Sequence, residues 1–166
     1  MLGRKKAAKR ATDGATASLR DMILRNPPDE LGFAPGKDTE LYGVLMETGY
    51  DSAIATIVSL ADGTTSMYFS SGGGTIGAGE HERVANATRA FVAAAADFLS
   101  YAEPTTDFPS PALGEVRFQF LTFGGGLTAA APEDDLGNQR DALSPLFYAG
   151  QDVITEIRLV QESGEA

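Results

Sequence analysis

Cysteine and tryptophan are absent from this chain of 166 residues, and histidine occurs once, at His81. Without cysteine there is no disulfide, no thiol nucleophile and no thiolate metal ligand. Paired carboxylates for glycoside chemistry want a cleft with aromatic platforms, and no tryptophan is present to furnish one. Any imidazole chemistry falls to His81 alone. Long apolar runs are missing too. The apolar stretch FVAAAA (91–96) is closed by Asp97, far short of the roughly 20 residues of a membrane span. No apolar stretch follows the basic first residues and no Arg-Arg pair marks them, so the chain reads as a cytoplasmic protein with no membrane partner.

Positive charge is scarce beyond residue 10. Five of the thirteen basic residues (Arg4, Lys5, Lys6, Lys9, Arg10) fall in residues 1–10, which hold no acid. The rest of the chain therefore sets eight basic residues against twenty-three acids, a net charge of −15. Such a body repels phosphate backbones, which excludes nucleic acid as a partner. Residues 1–14 read as a disordered basic tail and 15–162 as a single domain.

Periodicity supplies the elements. TASLRDMILRN (16–26) predicts a short helix, capped by Thr16 or Ser18 and stopped by Pro27-Pro28. LYGVLMETGY (41–50) reads as a central strand, apolar on both faces. Two strands within residues 55–71 flank Asp62-Gly63, a tight-hairpin dipeptide. Residues 80–101 predict a helix with Val84, Phe91 and Phe98 on one stripe. After a proline-rich loop (103–115), VRFQFLTF (116–123) is a strand that Gly124-Gly125-Gly126 turns into LTAAA (127–131). An acidic loop (132–141) leads to a last helix with Ser144 as N-cap and Pro145 at its first position. The fold class is α+β: an antiparallel sheet of about five strands with helices packed on it, in the order α-β-β-β-α-β-β-α.

The stretch SSGGGTIGAGEHERV (70–84) carries the candidate site. Gly72, Gly74 and Gly77 meet the spacing G-x-G-x-x-G, with Gly73 between them. A dinucleotide loop, however, sits between a parallel strand and its crossover helix, and here the preceding strand belongs to a hairpin. Glu80 and Glu82 also occupy the helix start that a phosphate would want. A ligand bound near Gly72, Gly73, Gly74, Gly77, His81 and Glu82 is accordingly neutral or cationic.

Glu80-His81-Glu82 does not form a zinc motif, because H-E-x-x-H would need histidine where Ala85 stands. No G-x-S-x-G elbow accompanies Ser70 or Ser71. Glu133, Asp134 and Asp135 do not fit a calcium loop and read as solvated. The sequence thus implies no metal, no cofactor and no catalytic residue.

LYGVLMETGY, SLADGTTSMYFSSGGGTIGAGEHERV and SPLFYAGQDVITEIRL resemble segments of a family of bacterial proteins of similar length, over most of residues 19–160. That resemblance implies no activity and no site residues. The element order is similar to profilin-like and roadblock-type modules, although three strands rather than two precede the middle helix. Two functions remain. One is a non-catalytic protein–protein interaction module, self-associating or binding a basic partner as an immunity-type protein would. The other is a small-ligand binder or enzyme whose pocket joins the glycine-rich turns and His81.

Overall fold

The computed structural model describes residues 19–36 and 40–164; the basic tail and the caps expected at Thr16 and Ser18 lie outside them. Residues 19–25 form α1. Seven strands follow in one antiparallel sheet: β1 (Leu41–Gly49), β2 (Ile54–Leu60), β3 (Thr65–Phe69), β4 (Gly74–Thr75), β5 (Glu103–Thr105), β6 (Glu115–Thr122) and β7 (Gly125–Pro132). Their spatial order is β4-β3-β2-β1-β6-β7-β5. The α+β class holds, but the count is seven strands and not about five. The two additions are edge strands of two and three residues. Only pairing to β3 and to β7 makes them strands, so no run of apolar residues announces them.

The β2–β3 hairpin forms as its Asp62-Gly63 turn requires: Gly63 takes a φ of 94°, and Asp62 accepts the Thr64 amide at 2.9 Å. The helix expected over 80–101 divides. A 3-10 turn (Ala78–Glu80) leads to α2 (Glu82–Ala95), and the end, Ala96–Tyr101, tightens to 3-10. The acidic loop contains a short helix, α3 (Glu133–Gly137), and α4 spans Ser144–Glu162. Ser144 is not the N-cap but the first residue of α4. Leu143 takes the N-cap position without a side-chain cap, because the chain already turns at Asp141, whose side chain accepts the Leu143 amide at 2.8 Å and whose carbonyl accepts the Ser144 amide.

Helices cover both faces of the sheet. On one, α2 and α4 bury Phe91, Val153 and Ile157 against Val44, Met46, Ile57, Phe118 and Phe120. There Thr88 of α2 meets Thr65 at 2.6 Å and Ser59 at 3.1 Å, three buried hydroxyls that satisfy one another. On the other face, α1 and residues 31–33 bring Leu24, Ile23, Leu31 and Phe33 onto Tyr42, Leu45, Val58, Leu60 and Leu121. A β-bulge between Leu41 and Gly43 shifts the alternation, which is how Leu41 and Val44 come to share one core and Tyr42 and Leu45 the other.

Candidate functional site

The glycine-rich stretch is distributed rather than gathered. Gly72 and Gly73 make the turn between β3 and β4, where the Phe69 amide donates to Gly73 and the Gly72 amide to Phe69. Gly74 lies in β4. Gly77, at φ 75°, opens the 3-10 turn. His81 follows in extended conformation immediately before α2, its amide bonded to Ala78, and Glu82 is exposed in the first helical turn. Gly79 accounts for part of the glycine content without any ligand. A Cβ there would fall on the Gly63 carbonyl oxygen, so the segment lies directly on the hairpin turn.

Gly77 and His81 do share a cleft. It has a volume of about 130 Å³ between β4, the start of α2 and the end of α4, with Ala78, Val84, Ile157 and Val160 as an apolar floor. Gln161 of α4 reaches across to donate to Thr75 Oγ1 at 2.5 Å, and Glu80 stands at the wall. One imidazole, one carboxamide and one hydroxyl above an apolar floor suit a small ligand with a few hydrogen-bonding groups. Gly72, Gly73, Gly74 and Glu82 are not part of this lining.

The second glycine turn lies elsewhere. In the antiparallel register, Gly124 and Gly125 follow the β6 end that pairs with Leu41, the same strand end as the Asp62-Gly63 hairpin. The Gly72-Gly73 turn lies at the opposite strand end, near Ile54. The two glycine turns therefore do not form walls of one pocket. At Gly126 the missing Cβ leaves room for the ring of Phe108.

Sequence reasoning missed a second polar centre, at Glu47. This carboxylate sits two residues before the end of β1 and is fully buried. Arg20 of α1 donates to it from Nε at 2.7 Å and Nη2 at 3.0 Å, Thr56 at 3.1 Å and Gln119 at 3.1 Å. Two consecutive backbone carbonyls complete the set: Phe108 accepts from Arg20 at 2.8 Å and Pro109 from Gln119 at 2.8 Å. Phe108 holds a left-handed φ of 46°, a strained conformation for a bulky residue. It is fixed by Thr105 Oγ1, which accepts the Phe108 amide at 3.1 Å.

Burial works to lower the Arg20 pKa, but the hydrogen bonds and charge of Glu47 outweigh it and the net direction is upward. Burial, and then the charge of Glu47, hold the Tyr68 phenol well above its ordinary value. Its hydroxyl and Gln119 Oε1 find no partner among the described residues. The signal for this centre was a lone carboxylate inside an apolar strand. Its partner, 27 residues earlier, was not readable from the pattern.

Across the described residues the charges are uneven. Twenty carboxylates stand against seven arginines, and every lysine falls outside the described segments. Each of those arginines is engaged: Arg20 with Glu47, Arg25 with Asp21, Arg83 with Glu156, Arg117 with Glu115, Arg140 with Asp135 and Arg158 with Glu162. Arg89 is held by the Asp62 carbonyl. No group of three or more metal-ligating side chains occurs among the described residues, and no helix there is long and apolar enough to cross a membrane. Comparison with protein-family models, with curated proteins and with solved structures returns no match.

Proposed function

We propose that this protein is a non-catalytic interaction module whose acidic surface receives a basic protein partner. The observation that carries this reading is the engagement of every described arginine while exposed carboxylates such as Asp29, Asp51, Glu82, Asp97, Glu103 and Asp134 have no ion-pair partner among the described residues. Such a surface steers cationic partners and turns away anionic ones. An immunity-type protein that neutralises a basic toxin is one concrete form. The test is affinity capture on the immobilised full chain from a lysate of its source cells, eluted along a salt gradient. The reading expects basic proteins that release as salt screens the contact; retained neutral or acidic proteins indifferent to salt would refute it.

The cleft at Gly77 and His81 favours a second reading, a binder of a small neutral or cationic ligand, with His81 and Gln161 orienting it. Soaking a fragment set into crystals, with His81→Ala as control, checks it. Density confined to the cleft and lost in the variant supports the second reading, and an empty cleft throughout counts against it.

A further inference from the structure

Three chain segments converge at the strand end that carries the Gly72-Gly73 turn: the residues just after β1, the 109–114 loop and the start of α3. Tyr50, the residue after β1, is 53% exposed, and Leu113 of the 109–114 loop is 69% exposed. Leu113 bridges to Gly49, the residue before Tyr50, and the Gly114 amide donates to the Gly49 carbonyl at 2.9 Å. Gly49 itself is obligatory: a Cβ there would fall on the Ala112 carbonyl oxygen, so the loop is pressed onto the strand and Leu113 is held out in solvent. The Glu133 amide donates to the Gly114 carbonyl at 2.9 Å, which sets Glu133 and Asp134 beside that loop. Asp51 follows Tyr50 on the other side. Burial, and then the charge of Glu133, raise the pKa of the Tyr50 phenol. None of Asp51, Glu133 and Asp134 pairs with a cation among the described residues.

We infer that the Tyr50–Leu113 patch is the docking surface for the basic partner, which inserts an apolar side chain beside Leu113 and sets arginine or lysine against Asp51 and Glu133. This inference rests on the interaction-module reading above. The occupant follows from charge. A second copy would bring its own Asp51, Glu133 and Asp134 to this rim, and like charges in contact oppose docking. A cationic segment gains from all three. An aromatic and a leucine held rigidly outward, with charges at the edge, are the arrangement of an anchor ringed by polar residues.

The experiment is a titration of the full chain, isotope-labelled, followed by amide chemical shifts. The probes are the hexapeptide Arg-Arg-Leu-Leu-Arg-Arg and its counterpart Glu-Glu-Leu-Leu-Glu-Glu. The expected result is shifts at Tyr50, Asp51, Leu113, Gly114 and Glu133 with the basic peptide alone. Leu113→Ser should weaken its binding about tenfold, roughly the 1.4 kcal/mol of a modest hot spot. The pair Asp51→Asn and Glu133→Gln should weaken it and flatten its salt dependence. All three side chains are at the surface or its rim, and unchanged spectra elsewhere show that each variant is folded. Basic-peptide shifts centred on other carboxylates, or undiminished by Leu113→Ser, overturn this placement and leave the basic-partner reading standing. No binding of the basic peptide at low salt overturns both. Shifts at the same amides that grow with protein concentration alone make a second copy the occupant and overturn the inference.

Discussion

Arg20 on α1 and Glu47 within β1 face each other as a bidentate pair, Nε to Oε1 at 2.7 Å and Nη2 to Oε2 at 3.0 Å. The pair is asymmetric. The Glu47 side chain has no solvent exposure, whereas 18% of Arg20 remains accessible. Thr56 and Gln119 hold Glu47 in place within the sheet, so the arginine is the movable member.

That asymmetry orders two substitutions. Arg20→Ala strands a buried carboxylate and should cost about 3–5 kcal/mol. Glu47→Gln leaves an arginine that can turn toward water, and its cost should be smaller. Urea unfolding of both variants decides the ranking, and an Arg20→Ala variant as stable as the parent would show that the pair contributes nothing.

Tyr68 makes an alkaline prediction. Its pKa in the fold is raised above the unfolded value of about 10 by burial and then by Glu47. Above that pH the unfolded chain loses the phenolic proton while the folded one keeps it. The stability is therefore complete below about pH 10 and declines as pH rises toward the folded value. Tyr68→Phe should remove this part of the decline. Because the hydroxyl is buried without a partner among the described residues, the variant should be at least as stable as the parent at neutral pH. Denaturant midpoints from pH 7 to pH 11 measure both effects.

The hydroxyl trio of Ser59, Thr65 and Thr88 anchors α2 to β2 and β3. Thr88→Val preserves the shape and removes the shared partner, leaving the buried Ser59 hydroxyl short of a bond. A loss of about 1–3 kcal/mol is expected, read as a lowered melting temperature, with Thr88→Ser recovering most of it.

Gly79 and Gly73 should respond differently to alanine. At Gly79 the new methyl collides with the backbone of the hairpin turn, and overpacking of this kind costs about 1–3 kcal/mol or more. At Gly73 the space is open but φ is 86°, so only backbone strain of about 1–2 kcal/mol applies. Gly73→Ala should be the milder, and thermal unfolding of the two side by side tests the order.

Legibility in the sequence followed how local each cause is. Asp62-Gly63 dictates its hairpin because the turn chemistry is contained in those residues, and the stripe of Val84, Phe91 and Phe98 foretells a helix lying on a sheet. β4 and β5 exist only through pairing with distant strands, so their own few residues carry no sign of them. The cleft at His81 was half legible. Gly77 and His81 were foreseen, but Gln161 and Thr75 close it through a contact spanning 86 residues. Glu47 went unread because its partner Arg20 lies on α1, 27 residues earlier in the chain.

What the sequence determined by itself is the acidic character of the body and the restriction of imidazole chemistry to His81. It also determined the helices and hairpin strands whose periodicity and turn residues are local. The tertiary structure decided which end of the sheet each glycine turn occupies, and hence that the two do not share a pocket. It likewise decided that Leu113 is bridged to Gly49, the residue before Tyr50, although the two lie far apart in the chain. The reason is physical. Turn and helix preferences act over a few residues, whereas strand register and the press of a loop on Gly49 depend on hydrogen bonds between segments that no local pattern connects.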